Sequence, residues 1–196
     1  MVQTPIRQID LEEFLDLPDT KPASEYIDGE IIQKPMPQTQ HSVIQKKLLF
    51  AIDPILSNAG IGQAFPELRC TFGGRSIVPD VVVFKEAKIA YDENGDIENV
   101  FSIPPDWTIE ILSPEQSTTK VLKNIDHCLA YGTQMGWLID PTDRAVFICM
   151  GDRNFQTIDE PSSTLPVSEF AAAIELTVEQ LFGWIKKKSK KKSQPE

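Results

Sequence analysis

Residues 78–84 read Val-Pro-Asp-Val-Val-Val-Phe, and this stretch limits the fold more than any other part of the chain. Val81, Val82, Val83 and Phe84 are consecutive and apolar. A strand with one wet face alternates apolar and polar side chains, so an unbroken apolar run predicts a strand covered on both faces. Residues 106–112 (DWTIEIL) predict a second strand. Thr108, Glu110 and Leu112 share one face of it, and Trp107, Ile109 and Ile111 share the other.

The remaining elements follow from periodicity and punctuation. Residues 9–17 predict a short amphipathic helix carrying Ile9, Phe14 and Leu17, ended by Pro18 and Pro22. Residues 24–34 predict a hairpin turning at Asp28-Gly29. Residues 39–57 have helical spacing, with Pro54 a kink or break and Asn58-Ala59-Gly60 the stop. Residues 63–72 and 76–84 read as two strands joined by Gly73-Gly74-Arg75, and 86–105 as an exposed loop. A helix at about 116–131 follows Ser113-Pro114. Strands are expected at 135–140, 144–150 and 154–158, and a broken helix at 169–185. Hydrophobic residues make up 41% of the 196, enough for a core without disulfides or structural metal. The expected organisation is one domain over 1–185, with its core at about 24–150, and a disordered lysine-rich tail over 186–196.

Two acids stand out. Asp80 enters the buried run directly after Pro79, and a buried carboxylate is costly unless a cation or hydrogen-bond donor meets it. Either it caps a neighbouring backbone amide or it binds something. Glu110 has apolar neighbours on its strand, so it is unusual if the strand is central and ordinary if the strand is an edge. On adjacent strands the two could share a divalent cation, and carboxylate oxygens suit Mg²⁺ or Mn²⁺. The helix after Glu110 places Val121, Ile125, Cys128 and Leu129 in an apolar stripe, with Lys120, Lys123, Asn124 and His127 opposite. Lys120 or Lys123 could fold back towards a metal between the acids, or could form part of a plain solvated face.

The ordered set Tyr26-Ile27-Asp28-Gly29-Glu30, His41, Val78-Pro79-Asp80-Val81-Val82-Val83, Glu110-Ile111-Leu112-Ser113-Pro114 and Gly136-Trp137-Leu138-Ile139-Asp140-Pro141 resembles the Uma-type restriction endonucleases of bacteria, within the PD-(D/E)XK nuclease superfamily. The resemblance spans about residues 24–150. It implies an α/β restriction-endonuclease-like core, a mixed central sheet flanked by helices. It implies Mg²⁺-dependent (or Mn²⁺-dependent) hydrolysis of DNA phosphodiesters, with Asp80 and Glu110 as metal ligands and catalytic acids and Glu30 as either an additional acid or an exposed hairpin residue. His41 is expected to order the start of its helix. The superfamily's lysine, two residues after the Glu, is Leu112 here, and the usual Uma-type helix lysine falls on Asn124. Lys120 and Lys123 are the substitutes expected from the helix. The alternative is an inactive DNA-binding or protein-interaction module on the same fold. Superfamily nucleases often cut duplex DNA as dimers, so a homodimer is one implied arrangement.

Charge narrows the DNA reading. The chain has 19 Lys and Arg against 29 Asp and Glu, a net of -10. Residues 186–196 hold six of the lysines and one Glu, so residues 1–185 keep 13 basic and 28 acidic side chains, a net of -15. Such a body repels polyanions in bulk. DNA contact is expected only from local positions such as Arg69, Arg75, Lys120 and Lys123, helped by the tail. Cys70, Cys128 and Cys149 have no CxxC spacing and sit in mostly apolar stretches, which predicts buried free thiols in a reducing cytoplasm. No signal-peptide run and no 18-residue apolar stretch is present, so a cytoplasmic protein with no membrane partner is expected.

Overall fold

In the computed structural model, which describes residues 9–114, 116–152 and 154–187, the apolar run becomes an inner strand of a six-stranded sheet. The helices are α1 (Leu11–Leu15), α2 (Thr39–Asn58), α3 (Thr118–Ala130) and α4 (Val178–Gly183). The strands are β1 (Ser24–Ile27), β2 (Glu30–Gln33), β3 (Gly62–Pro66), β4 (Cys70–Phe72), β5 (Arg75–Ile77), β6 (Val81–Lys85), β7 (Trp107–Ile111), β8 (Met135–Asp140), β9 (Ala145–Met150) and β10 (Phe155–Ile158). The large sheet has the order β10-β9-β8-β7-β6-β3, and a smaller one has the order β2-β1-β5-β4. β7 and β8 are parallel and joined through α3, while the other described pairs of the large sheet are antiparallel. This is the expected α/β class with a mixed central sheet and helical cover.

Both faces of the large sheet are covered, as the valine run requires. On one face Ile44, Leu48, Ile52 and Leu56 of α2 pack with Val81, Val83, Trp107, Ile109 and Ile111, joined by Leu181 and Phe182 of α4. On the other, Val82 and Phe84 pack with Phe72, Ile77 and Phe101 under the small sheet. Beside them Val121 and Ile125 of α3 cover Leu138. Val81, Val82 and Val83 are fully buried, a contribution of about 1.5–3 kcal/mol each. The three cysteines are buried and free.

α1 starts on a capping box, in which Asp10 accepts from Glu13 N–H and the Glu13 side chain accepts from Asp10 N–H. The β1–β2 turn holds Asp28 and Gly29 at φ 53° and 88°, the signature of a two-residue hairpin turn. Pro54 lies inside α2, which continues to Asn58.

Three expectations need correction. The predicted strands 63–72 and 76–84 are each divided, so that β3 and β6 pair in the large sheet and β4 and β5 pair in the small one. Glu67 at φ 46° and the Pro79 ring, which lacks an N–H, break both ladders at the same level. The C-terminal helix is shorter than expected: a 3₁₀ turn at Glu169–Ala171, then α4. On α3, His127 is buried rather than solvated, stacked on Phe72 with ring centroids 5.0 Å apart. The expected disordered tail falls outside the described residues from 188 onward. No described helix is long and apolar enough to cross a membrane.

Candidate active site

The corner where the chain leaves one sheet for the other builds the site. Residues 67–69 and 78–80 lie outside both ladders, and their backbone groups need partners. Side chains supply them. Val78 N–H donates to Glu25 Oε1 at 2.8 Å. Lys34 Nζ donates to the Val78 carbonyl at 2.8 Å, and Gln45 Nε2 donates to the Asp80 carbonyl at 2.9 Å.

The β6–β7 register pairs Val81 with Ile109 and Val82 with Thr108. Its continuation sets Asp80 opposite Glu110, both buried at 2% and 3% exposure. Lys34 Nζ bridges them, 2.8 Å from Asp80 Oδ1 and 3.2 Å from Glu110 Oε2. Asp80 Oδ2 accepts from Ile111 N–H at 2.7 Å and lies 3.0 Å from His41 Nε2. With Nε2 facing a carboxylate, His41 donates there, and its Nδ1 is buried without a hydrogen-bond partner among the described residues. Glu25 Oε2 lies 3.5 Å from Asn124 Nδ2, which joins α3 to the cluster.

Three buried carboxylates therefore face one lysine, and their protons divide unequally. Burial works to raise the pKa of Asp80, but the Lys34 charge and the His41 hydrogen bond outweigh it and hold the carboxyl well below the usual range. Glu110 has fewer donors. Burial, with the charges of Asp80 and Glu25, pushes it up to about 8 against the pull of Lys34. Burial also raises Glu25. For Lys34, burial opposes the charge, yet Glu110, Asp80 and Glu25 together hold its pKa above the ordinary value.

A cleft of about 890 Å³ opens beside this cluster, with Lys34, His41 and Asp80 on its wall. Leu17, Ile31 and Met36 line it with exposed apolar side chains. A molecule entering the cleft would meet Lys34 and Asp80.

Asp80 and Glu110 come together as the sequence suggested. Glu30 does not join them: it is exposed next to the hairpin turn, paired with Ile27, at the turn end of the face that carries Lys34. Lys120 and Lys123 are exposed on α3, and among the described residues neither bonds to Asp80 or Glu110. The amine at the acids is Lys34 instead. α2 starts at Gln38 without a side-chain cap, and His41, in its first turn, contacts Asp80. Arg69 and Arg75 are engaged internally, Arg69 with Ser76 Oγ and the Ser24 carbonyl, and Arg75 through two bonds to Asp28. Sequence reasoning missed Glu25 and Lys34. The signal was in the hairpin: a turn at 28–29 pairs Glu25 with Ile32 and brings Lys34 N–H to the Ala23 carbonyl, so Glu25 and Lys34 share a face.

Among the described residues no three His, Cys, Asp or Glu side chains form a ready-made metal cluster. The donor chemistry still fits Mg²⁺ or Mn²⁺. Asp80 Oδ1 and Glu110 Oε2 already converge on one cation, the Lys34 ammonium. Mg²⁺ commonly binds through one or two carboxylates, with waters and substrate phosphate completing its shell.

Such a mixed six-stranded sheet with helical cover belongs to the restriction-endonuclease-like class of fold. The model of the Uma2 family, described as "Putative restriction endonuclease", matches residues 11–179, and the chain belongs to that family. The chain is also similar to a solved structure described as a "putative nuclease belonging to DUF820" from Anabaena variabilis ATCC 29413. The two share 55% identity with a TM-score of 0.88, over 90% of this chain and 98% of that one. No curated protein matches the chain.

Proposed function

We propose that the protein is a nuclease that hydrolyses DNA phosphodiesters with Mg²⁺ or Mn²⁺ held by Asp80 and Glu110. One observation carries this reading: two carboxylates from adjacent central strands meet at a single cation on the wall of an open cleft. Family membership supports nuclease chemistry in general.

A bound divalent cation would supply charge neutralisation at the scissile phosphate and a more acidic water. The chain's own groups would do the rest. Asp80, kept ionised, offers a carboxylate at all ordinary pH values. Ile111 N–H and His41 fix its orientation, so its other oxygen faces the bridging cation. Glu110, once deprotonated, would be the second ligand. Glu25 adds negative potential behind them while anchoring the Val78 backbone.

The test is a cleavage assay over single-stranded, duplex and branched DNA with Mg²⁺ or Mn²⁺. Wild type should nick or cut at least one substrate, and Asp80→Ala or Glu110→Ala should abolish cutting. Cleavage that survives both substitutions would refute the site.

A second reading is a binding module without catalysis. It is favoured by the saturation of Asp80, which has Lys34, His41 and a backbone amide as partners. Under it, DNA or protein binds equally well in chelator and no cut appears with either metal.

A further inference from the structure

Attack on a phosphodiester builds negative charge on the non-bridging oxygens, and a pre-placed cationic donor lowers that barrier. The donor must reach the reacting phosphate from a rigid mount. Lys120 and Lys123 are exposed on α3, and among the described residues neither reaches the acids. Asn124 approaches from the same helix, but its amide meets Glu25 at 3.5 Å. Arg69 and Arg75 are bound to Ser76, Ser24 and Asp28.

Lys34 meets the requirement. It follows β2 directly, and its N–H donates to the Ala23 carbonyl at 2.9 Å, so the hairpin ladder holds its backbone. Its side chain crosses to the acids and ends 2.8 Å from Asp80 and 3.2 Å from Glu110. It also reaches solvent: the side chain is 14% exposed, against 5% for Glu110, and it lines the cleft.

We propose that Lys34, delivered by the β1–β2 hairpin instead of by α3, is the catalytic amine of this site, donating to a non-bridging oxygen of the scissile phosphate. The proposal rests on the nuclease reading above. In the step it serves, a water oxygen bonds to phosphorus while the bond from phosphorus to the leaving ester oxygen breaks. The water loses one proton to solvent, the leaving oxygen takes one from solvent, and nothing is oxidised or reduced. Lys34 keeps its proton throughout. With a divalent cation held by Asp80 and Glu110, the ammonium that bridges them in the resting protein would be displaced and would turn to the phosphate.

The geometry also offers a place for a substitute. Asn124 of α3 touches the cluster through Glu25, 3.5 Å away, so a lysine there should restore the charge. Wild type, Lys34→Met and Lys34→Met/Asn124→Lys would be compared for kcat and KM with Mn²⁺ on the best DNA substrate. Mn²⁺ affinity without DNA would be measured by calorimetry and folding by circular dichroism. Lys34→Gln, which keeps a donor for the Val78 carbonyl, covers a Met variant that does not fold. The expected result is a fall in kcat of about a hundredfold or more at Lys34→Met or Lys34→Gln. Mn²⁺ affinity should be kept or tightened, because the competing amine is gone, and the double variant should recover at least about tenfold, part of that loss. Undiminished cleavage by Lys34→Met would overturn the proposal. So would loss of Mn²⁺ binding and folding together in both single variants, with no recovery in the double, since that marks a purely structural ion pair. Loss of kcat at Lys120→Ala or Lys123→Ala with Lys34→Met intact would move the role back to the helix. A wild type that neither binds Mn²⁺ nor cuts any substrate would instead refute the nuclease reading itself.

Discussion

In metal-free solution, Glu110→Gln is expected to make the protein more stable at alkaline pH. The residue is 3% exposed, Lys34 is its ion-pair partner, and Asp80 and Glu25 repel its charge. Burial and those neighbours push it from the ordinary 4.5 up to about 8. Between these values the folded protein holds a proton that the unfolded chain has released. Stability therefore falls as pH rises, by at most about 1.4 kcal/mol per pH unit, and the loss is complete above the folded-state pKa. The whole window sets an upper bound of about 5 kcal/mol. Local relaxation and water entry reduce it, and about 2 kcal/mol is expected. Gln keeps the shape and an oxygen for Lys34 but does not titrate. Urea unfolding of both proteins in chelator, from about pH 5 to about pH 9, reads the difference directly. The two should agree closely at the acidic end, with the variant pulling ahead as pH rises. A flat difference, or a wild type that gains on the variant with pH, would refute the account of Glu110. Mn²⁺ at a hundred times its Kd should raise the wild type at alkaline pH by about 2.7 kcal/mol, enough to cancel the expected deficit, because the ionised pair then has its cation.

Gly136→Ala should loosen α3 from the sheet. A Cβ there would lie 2.2 Å from Ile125 Cγ2, so helix or strand must move, at a cost of about 1–3 kcal/mol by denaturant unfolding. The cost should shrink in an Ile125→Ala background, and full additivity in that cycle would show that the two do not press on each other. For DNA binding, the exposed lysines of α3 leave few phosphate contacts on an acidic body. The slope of log affinity against log salt should be about -2 to -3, at close to 0.9 per phosphate. A slope of about -6 or steeper would point to a broad basic surface that the described residues do not contain.

How much the sequence revealed depends on whether a feature is local or depends on the fold. The valine run and the alternation in 107–112 were legible because burial on both faces and a two-residue period are properties of one strand. They were enough to single out Asp80 and Glu110, which the register then sets opposite each other. The breaks at 67–69 and 78–80 were less legible. Pro79 marks one of them, but only Glu67 with its positive φ marks the other, and glutamate carries no local signal for that conformation. Missing those breaks hid the corner, and with it the unpaired Val78 backbone that draws in Glu25 and Lys34.

The amine shows the limit most clearly. Reading along the chain from Glu110 favours a lysine on the next helix, since sequence neighbours are the cheapest guess for spatial ones. Yet what the site needs is a charge at a point in space, and any element passing that point can supply it. Here the hairpin passes it: β1 pairs with β5, which carries the small sheet over the corner, and the face that holds Glu25 and Lys34 is the face turned inward. The turn position and the two-residue period are enough to put those two residues on one face, whereas the docking of that face is a property of the whole fold. In a chain whose acids outnumber its bases by ten, a lysine sharing a hairpin face with a glutamate is therefore worth testing against every acid the sheet places nearby.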